Sequence, residues 1–145
     1  GQLAVSPLQM LLITAAIAEK GTMPQPHLVM KQSAPDGRLI ARYGGGTLGT
    51  AVDATVAAQV KAMMVTVVDS GSGTLAKIPN VQVAGKTGTA ETGTNQPADA
   101  WFAAFAPAND PHYAVVVVRE GQGEGYDQAA PMAKTILQAA LASND

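Results

Sequence analysis

From Ser6 to Lys20 the chain carries a helix start, a helix stop and almost no polar face between them. Ser6 stands where an N-cap belongs, Pro7 at the first helical position, Gln9 three residues after the cap, and Gly21 directly after Lys20. Leu8, Met10, Leu11, Leu12, Ile13, Ala15, Ala16 and Ile17 wrap round such a helix instead of lining one stripe, so it must be covered by protein on several sides. A chain of 145 residues hardly supplies those sides. The mostly apolar run Leu8 to Ala18 also falls short of the roughly 20 residues that cross a bilayer, and no basic-then-apolar leader precedes it.

Composition narrows the field. A chain of this length makes one compact domain or part of one, and it can bury about two thirds of its unfolded surface without a covalent staple. Nine Lys and Arg against eleven Asp and Glu leave a net charge of −2, with the basic residues scattered. Nucleic acid, which needs a basic patch, is therefore not an expected partner. With no cysteine there is no thiolate nucleophile and no Cys-ligated zinc, and His27 and His112 stand far apart in sequence, so neither a metal nor a cofactor is expected.

Along the chain, Gly21 to Tyr43 reads as short extended pieces (Leu28-Val29-Met30, Leu39-Ile40-Ala41) joined by a turn at Pro35-Asp36-Gly37. Thr50 to Val68 has apolar residues at helical spacing and runs into Asp69-Ser70-Gly71-Ser72-Gly73, a flexible stop. Val81 to Ala90, Ala100 to Ala106 and Tyr113 to Glu120 are strand candidates. The short turn Pro107 to Pro111 makes the last two an antiparallel hairpin. Thr135 to Leu141 closes the chain as a helix with Met132, Ile136 and Ala140 at four-residue steps and Lys134 and Gln138 toward water. Helix, strands, helix predicts an α+β fold, an antiparallel sheet packed with helices.

One strand holds chemistry. Val83-Ala84-Gly85-Lys86-Thr87-Gly88-Thr89-Ala90-Glu91 offers a cation, two hydroxyls and a residue without a side chain. Lys86 supplies positive charge, Thr87 and Thr89 can donate to a carboxylate, and Gly88 admits a second backbone beside the strand. An extended anionic ligand can add itself to such an edge, with the Thr89 N–H facing a developing oxyanion. An ordinary exposed strand bearing a lysine and threonines accounts for the same residues taken singly. Two phosphate-loop readings are weaker. Gly85-Lys86-Thr87 lacks the glycine a P-loop needs five positions earlier, where Asn80 stands, and Gly44-Gly45-Gly46-Thr47-Leu48-Gly49 matches GxGxxG but follows a segment with Arg42 inside it. A glycine-rich surface turn is the better account of the second.

Taken in order, these residues resemble the transpeptidase, or penicillin-binding, domain of class B penicillin-binding proteins. The likeness runs from Gly1-Gln2 and Val5-Ser6-Pro7-Leu8-Gln9-Met10, through Ile17-Ala18-Glu19-Lys20-Gly21 and Met63-Met64-Val65 to Val68. It continues in Ala84-Gly85-Lys86-Thr87-Gly88-Thr89-Ala90-Glu91, the strand Ala100 to Pro107, and Ala129-Ala130-Pro131. The central element is the Lys-Thr-Gly motif of that family. The resemblance implies a serine acyl-enzyme acting on D-alanyl-D-alanine stem peptides of peptidoglycan, with beta-lactams as substrate mimics. Lys86 would set the electrostatics of the nucleophile, Thr87 and Thr89 would hold the terminal carboxylate, the Thr89 N–H would form half of the oxyanion hole, and Gly88 would keep the strand open. Trp101, on the next strand, is expected to be scaffold.

The family's Ser-x-x-Lys is absent; Thr74-Leu75-Ala76-Lys77 comes nearest, with the wrong nucleophile, and neither Ser-x-Asn nor Tyr-x-Asn occurs. Residues 1–145 are thus expected to be the C-terminal portion of a transpeptidase domain, unable to acylate alone. Its partner is the upstream part of the same domain, in a longer native polypeptide held on the outer face of the cytoplasmic membrane by an anchor outside this chain. A non-catalytic sensor of beta-lactams or wall peptides, built on the same fold, fits these residues as well.

Overall fold

The computed structural model describes residues 4–93 and 96–143, so the Gly1-Gln2 part of the resemblance lies outside it. Helix α1 spans Pro7–Ala18, and both halves of its capping box form: Gln9 N donates to Ser6 Oγ at 3.2 Å and Ser6 N to Gln9 Oε1 at 2.7 Å. It stops two residues before the expected Lys20, because Lys20 (φ 54°) and Gly21 (φ 93°) turn left-handed. A side chain at Gly21 would also run into the Val52 carbonyl, so glycine is demanded by conformation and by space.

Four short strands follow: β1 Thr22–Pro24, β2 Lys31–Ser33, β3 Leu39–Arg42 and β4 Thr47–Thr50. They form two antiparallel ribbons, β1 with β4 and β2 with β3. The predicted turn joins β2 to β3, with Arg38 N donating to Asp36 Oδ1 at 3.0 Å. Leu28-Val29-Met30, expected as an extended piece, belongs to no strand, and Leu28 is fully exposed. The glycine run from Gly44 enters strand β4, not a helix, so the helix N-terminus that a dinucleotide fingerprint requires is missing there.

Helix α2 spans Ala54–Ser70, which returns the expected Thr50 start to β4. Its glycine-serine stop is a tight wrap and not a flexible one: Gly71 N and Gly73 N both donate to the Val67 carbonyl, at 3.1 and 2.9 Å. A 3₁₀ turn at Thr74–Ala76 follows. Strands β5 Ala84–Ala90, β6 Asp99–Ala106 and β7 Tyr113–Arg119 pair antiparallel in the order β5-β6-β7. The β6–β7 hairpin is the predicted one. Strand β5 begins three residues after the expected Val81, which instead pairs with Ile78 across a tight turn. A short helix, α3 Gly125–Gln128, leads into α4 Ala130–Ala142. The architecture is α+β, as expected.

Strand β6 is covered on both faces. Ala100, Phe102 and Ala104 pack with Val83, Val115, Val117 and, from α4, Ala133 and Leu137. Phe105, pointing the other way, packs with Ala84, Met64 of α2 and Ala18 of α1. Helix α4 uses a different stripe from the one its sequence suggests. Ala130, Ala133 and Leu137 are buried, whereas Met132 and Ile136 are 45% and 46% exposed. Small alanines let the helix axis come close to the sheet, and that contact selects the stripe over the bulkier side chains. Helix α1 buries only Thr14, Ala16 and Ala18, with the Thr14 hydroxyl bonded to the Met10 carbonyl at 2.7 Å. Leu8 and Ile13 stay half exposed, so the described residues do not cover the helix on every side.

Leu137→Ala should lower the unfolding free energy by about 2–5 kcal/mol, and Ile136→Ala by less than about 1 kcal/mol, in urea titrations. Equal losses would show that the buried stripe of α4 has been misassigned.

Candidate active site

Strand β5 has a neighbour on one side only, so one edge of Ala84–Ala90 is unpaired within the sheet. Strand alternation then divides the predicted residues. Thr87 and Thr89 sit opposite Phe102 and Ala100, on the face toward α4, while Lys86 and Gly88 sit opposite Ala103 and Trp101, on the face toward α1. Lys86 does not share a face with the two threonines. The strand is narrow enough that the lysine reaches across its edge, its Nζ donating to the Thr87 carbonyl at 2.7 Å. Lys86 and Thr89 are exposed, Thr87 and Gly88 half-buried.

An open cavity of about 500 Å³ runs along this strand. Lys86, Thr87, Gly88 and Thr89 line it on one side, Val5 and Met10 at the start of α1 on the other, with Trp101 and Ala103 on its floor. Trp101, expected to be scaffold, therefore contributes to the cavity wall as well. Its indole nitrogen is buried without a hydrogen-bond partner among the described residues. An aromatic floor and a cation beside an unpaired strand edge, with two hydroxyls on the strand's other face, suit an extended ligand ending in an anion.

Two further residues enter that sequence reasoning missed. Ser72, in the wrap after α2, places its Oγ 2.8 Å from Thr87 Oγ1. The two hydroxyls hold two protons between them, so the pair keeps one to offer elsewhere. Glu124, just before α3, accepts the Thr89 hydroxyl proton at Oε2, 2.8 Å away. No local motif marks either residue, since each is 15 or more positions from its partner.

Gly125 explains how Glu124 gets there. A side chain at Gly125 would collide with the carbonyls of Gly88 and Trp101 and come within 3.0 Å of the Gly88 nitrogen. This contact lies on the face away from the one a side chain at Gly88 would occupy, where Trp101 is the neighbour. Thr74-Leu75-Ala76-Lys77 forms the 3₁₀ turn and its cap, away from the residues that line the cavity. His27 and His112 line a different cavity beside α1, and the described residues contain no cluster of three or more metal-ligating side chains.

Comparison with known proteins converges on one family. Residues 1–138 match the family described as penicillin binding protein transpeptidase domain. The chain is 39% identical over 148 residues to peptidoglycan D,D-transpeptidase PbpA of Mycolicibacterium smegmatis, a match covering 95% of this chain and 30% of that protein. PbpA of Mycobacterium tuberculosis H37Rv is 38% identical over 150 residues, again 95% of this chain and 30% of the relative. Among solved structures, the D,D-transpeptidase domain of a peptidoglycan glycosyltransferase from Eggerthella lenta superposes with a TM-score of 0.90 at 37% identity, covering 97% of this chain and 33% of that one. A ceftriaxone acyl-enzyme complex of M. tuberculosis penicillin-binding protein A does so with a TM-score of 0.90 at 36% identity, covering 97% and 33%. The chain spans about a third of the length of these relatives.

Gly125→Ala should destabilise the fold by about 1–3 kcal/mol, because the added methyl has backbone in its way and not a flexible side chain. An unchanged urea midpoint would mean that α3 is not seated on β5.

Proposed function

Because this chain belongs to the penicillin-binding protein transpeptidase family, we propose that it forms the C-terminal portion of a peptidoglycan D,D-transpeptidase domain and contributes one wall of its active site. The observation that carries the reading is the unpaired edge of β5, where Lys86, Thr87, Gly88 and Thr89 line an open cavity. The nucleophilic serine, with its Ser-x-x-Lys lysine, comes from residues outside this chain, as does the Ser-x-Asn element.

In this reading a stem peptide ending in D-alanyl-D-alanine lies along the β5 edge. The Lys86 ammonium draws in the terminal carboxylate and stabilises the ionised form of the serine oxygen. The Thr87 and Thr89 hydroxyls fix the carboxylate. Attack by the serine breaks the bond between the two alanines, releasing the terminal one, and the Thr89 N–H supports the oxyanion formed on the way. An amine of a second stem peptide then takes the acyl group from the serine. Beta-lactams enter the same site because their carboxylate and strained amide reproduce the two points of recognition. In this reading the reaction takes place on the wall side of the cytoplasmic membrane; none of the described helices is long and apolar enough to cross it.

Lys86→Ala in the full-length protein should abolish labelling by a fluorescent penicillin while far-UV circular dichroism stays the same; undiminished labelling would remove this strand from the site. Thr89→Val should weaken the apparent affinity for benzylpenicillin about tenfold, the cost of one hydrogen bond to a charged group. Stopped-flow acylation measures it, and unchanged binding would take Thr89 out of the carboxylate site. A protein that acylates but transfers to no acceptor amine would answer to the sensor reading instead.

A further inference from the structure

The carboxylate of Glu124 sits on the hydroxyl to which the proposed function assigns a ligand carboxylate. A threonine hydroxyl has one proton to donate, and Thr89 donates it to Glu124 Oε2 at 2.8 Å. Thr89 therefore offers only lone pairs to an approaching anion. Thr87 differs, since it shares its hydrogen bond with the Ser72 hydroxyl and the pair keeps one proton to give.

The seat of Glu124 is built into the backbone. Its neighbour Gly125 is buried against Gly88 and Trp101, with no room for even a methyl group, so the residue before it is delivered to the end of β5 however its side chain turns. Among the described residues no Lys, Arg or His nitrogen forms an ion pair with Glu124. Glu124 is exposed, and its negative charge, balanced by no cation among those residues, lies one hydrogen bond from Thr89, a residue that lines the site.

We propose that Glu124 is a specificity-determining residue: its carboxylate is a resident competitor on Thr89, and a ligand carboxylate engages that hydroxyl only by displacing it. The proposal rests on the reading of β5 as the carboxylate site. Two like charges near one donor repel, and they compete for a single proton. Ligands whose affinity comes from an anion at this end are held below the affinity the Lys86 and threonine set would otherwise reach.

The test uses full-length protein with benzylpenicillin as probe, resolving the apparent dissociation constant from the first-order acylation constant in wild type, Glu124→Gln, Glu124→Ala, Thr89→Val and the Thr89→Val/Glu124→Gln double variant. Both Glu124 variants should bind about 3- to 10-fold tighter, with the acylation constant unmoved. The advantage of Glu124→Gln over wild type should shrink as sodium chloride is added, since salt screens the repulsion. In the Thr89→Val background the gain should fall below about twofold, as it must when two residues act through one contact. If Thr89→Val weakens binding while the Glu124 variants bind no better, the competitor role is overturned and the reading of β5 stands. If Thr89→Val leaves binding unchanged, both fall.

Discussion

The middle strand of the sheet, Asp99–Ala106, has a buried phenylalanine on each face, and the rest of the molecule is arranged around that fact. Phe102 and Phe105 point to opposite sides and each anchors a separate cluster of packed side chains. A strand held this way cannot slip by one residue without exchanging its two cores, so its register toward each neighbour is set. Strand β5 inherits its alignment from that register: Gly88 must lie beside Trp101, and Thr87 and Thr89 beside Phe102 and Ala100. The chemistry of the β5 edge is in this sense positioned by hydrophobic packing one strand away.

That arrangement also distributes the side chains of the candidate site. A two-faced strand sends Lys86 and the threonines to opposite sides, and only the narrowness of the strand lets the ammonium return to the Thr87 carbonyl. The cavity along the edge joins Trp101 and Lys86 without a buried charge, while the threonine hydroxyls turn to the other face. Gly125 seals the α4 side of Gly88 by direct backbone contact and carries Glu124 with it. Packing of a short helix and the electrostatics of the site are thus one and the same feature.

Much of the fold was legible because the signals were local. The capping box of α1, the Asp36 turn, the β6–β7 hairpin and the α+β order all come from residues a few positions apart whose physics acts at that range. The errors fell where a longer-range contact took over. Thr50 reads as helical but ends β4, where it pairs with Thr22 of β1. The wrap at Gly71 and Gly73 reads as loose because glycine and serine lack side-chain bulk, yet two N–H groups close on the Val67 carbonyl. Met132 and Ile136 look like the core of α4 by size, but alanines win the contact because they permit a closer approach to the sheet.

The candidate site divides along the same line. By itself the amino-acid sequence determined which groups are available at the strand, Lys86, Thr87, Gly88 and Thr89, and that they suit an anionic, extended ligand, because charge, hydroxyl and absence of a side chain are properties of the residues themselves. Only the tertiary structure decided that the strand has an unpaired edge, that Trp101 floors the cavity, and that Ser72 and Glu124 already hold the two hydroxyls. Those relations join residues 15 and 35 positions apart, and nothing in a linear order specifies which of many distant side chains a buried sheet will bring within 2.8 Å.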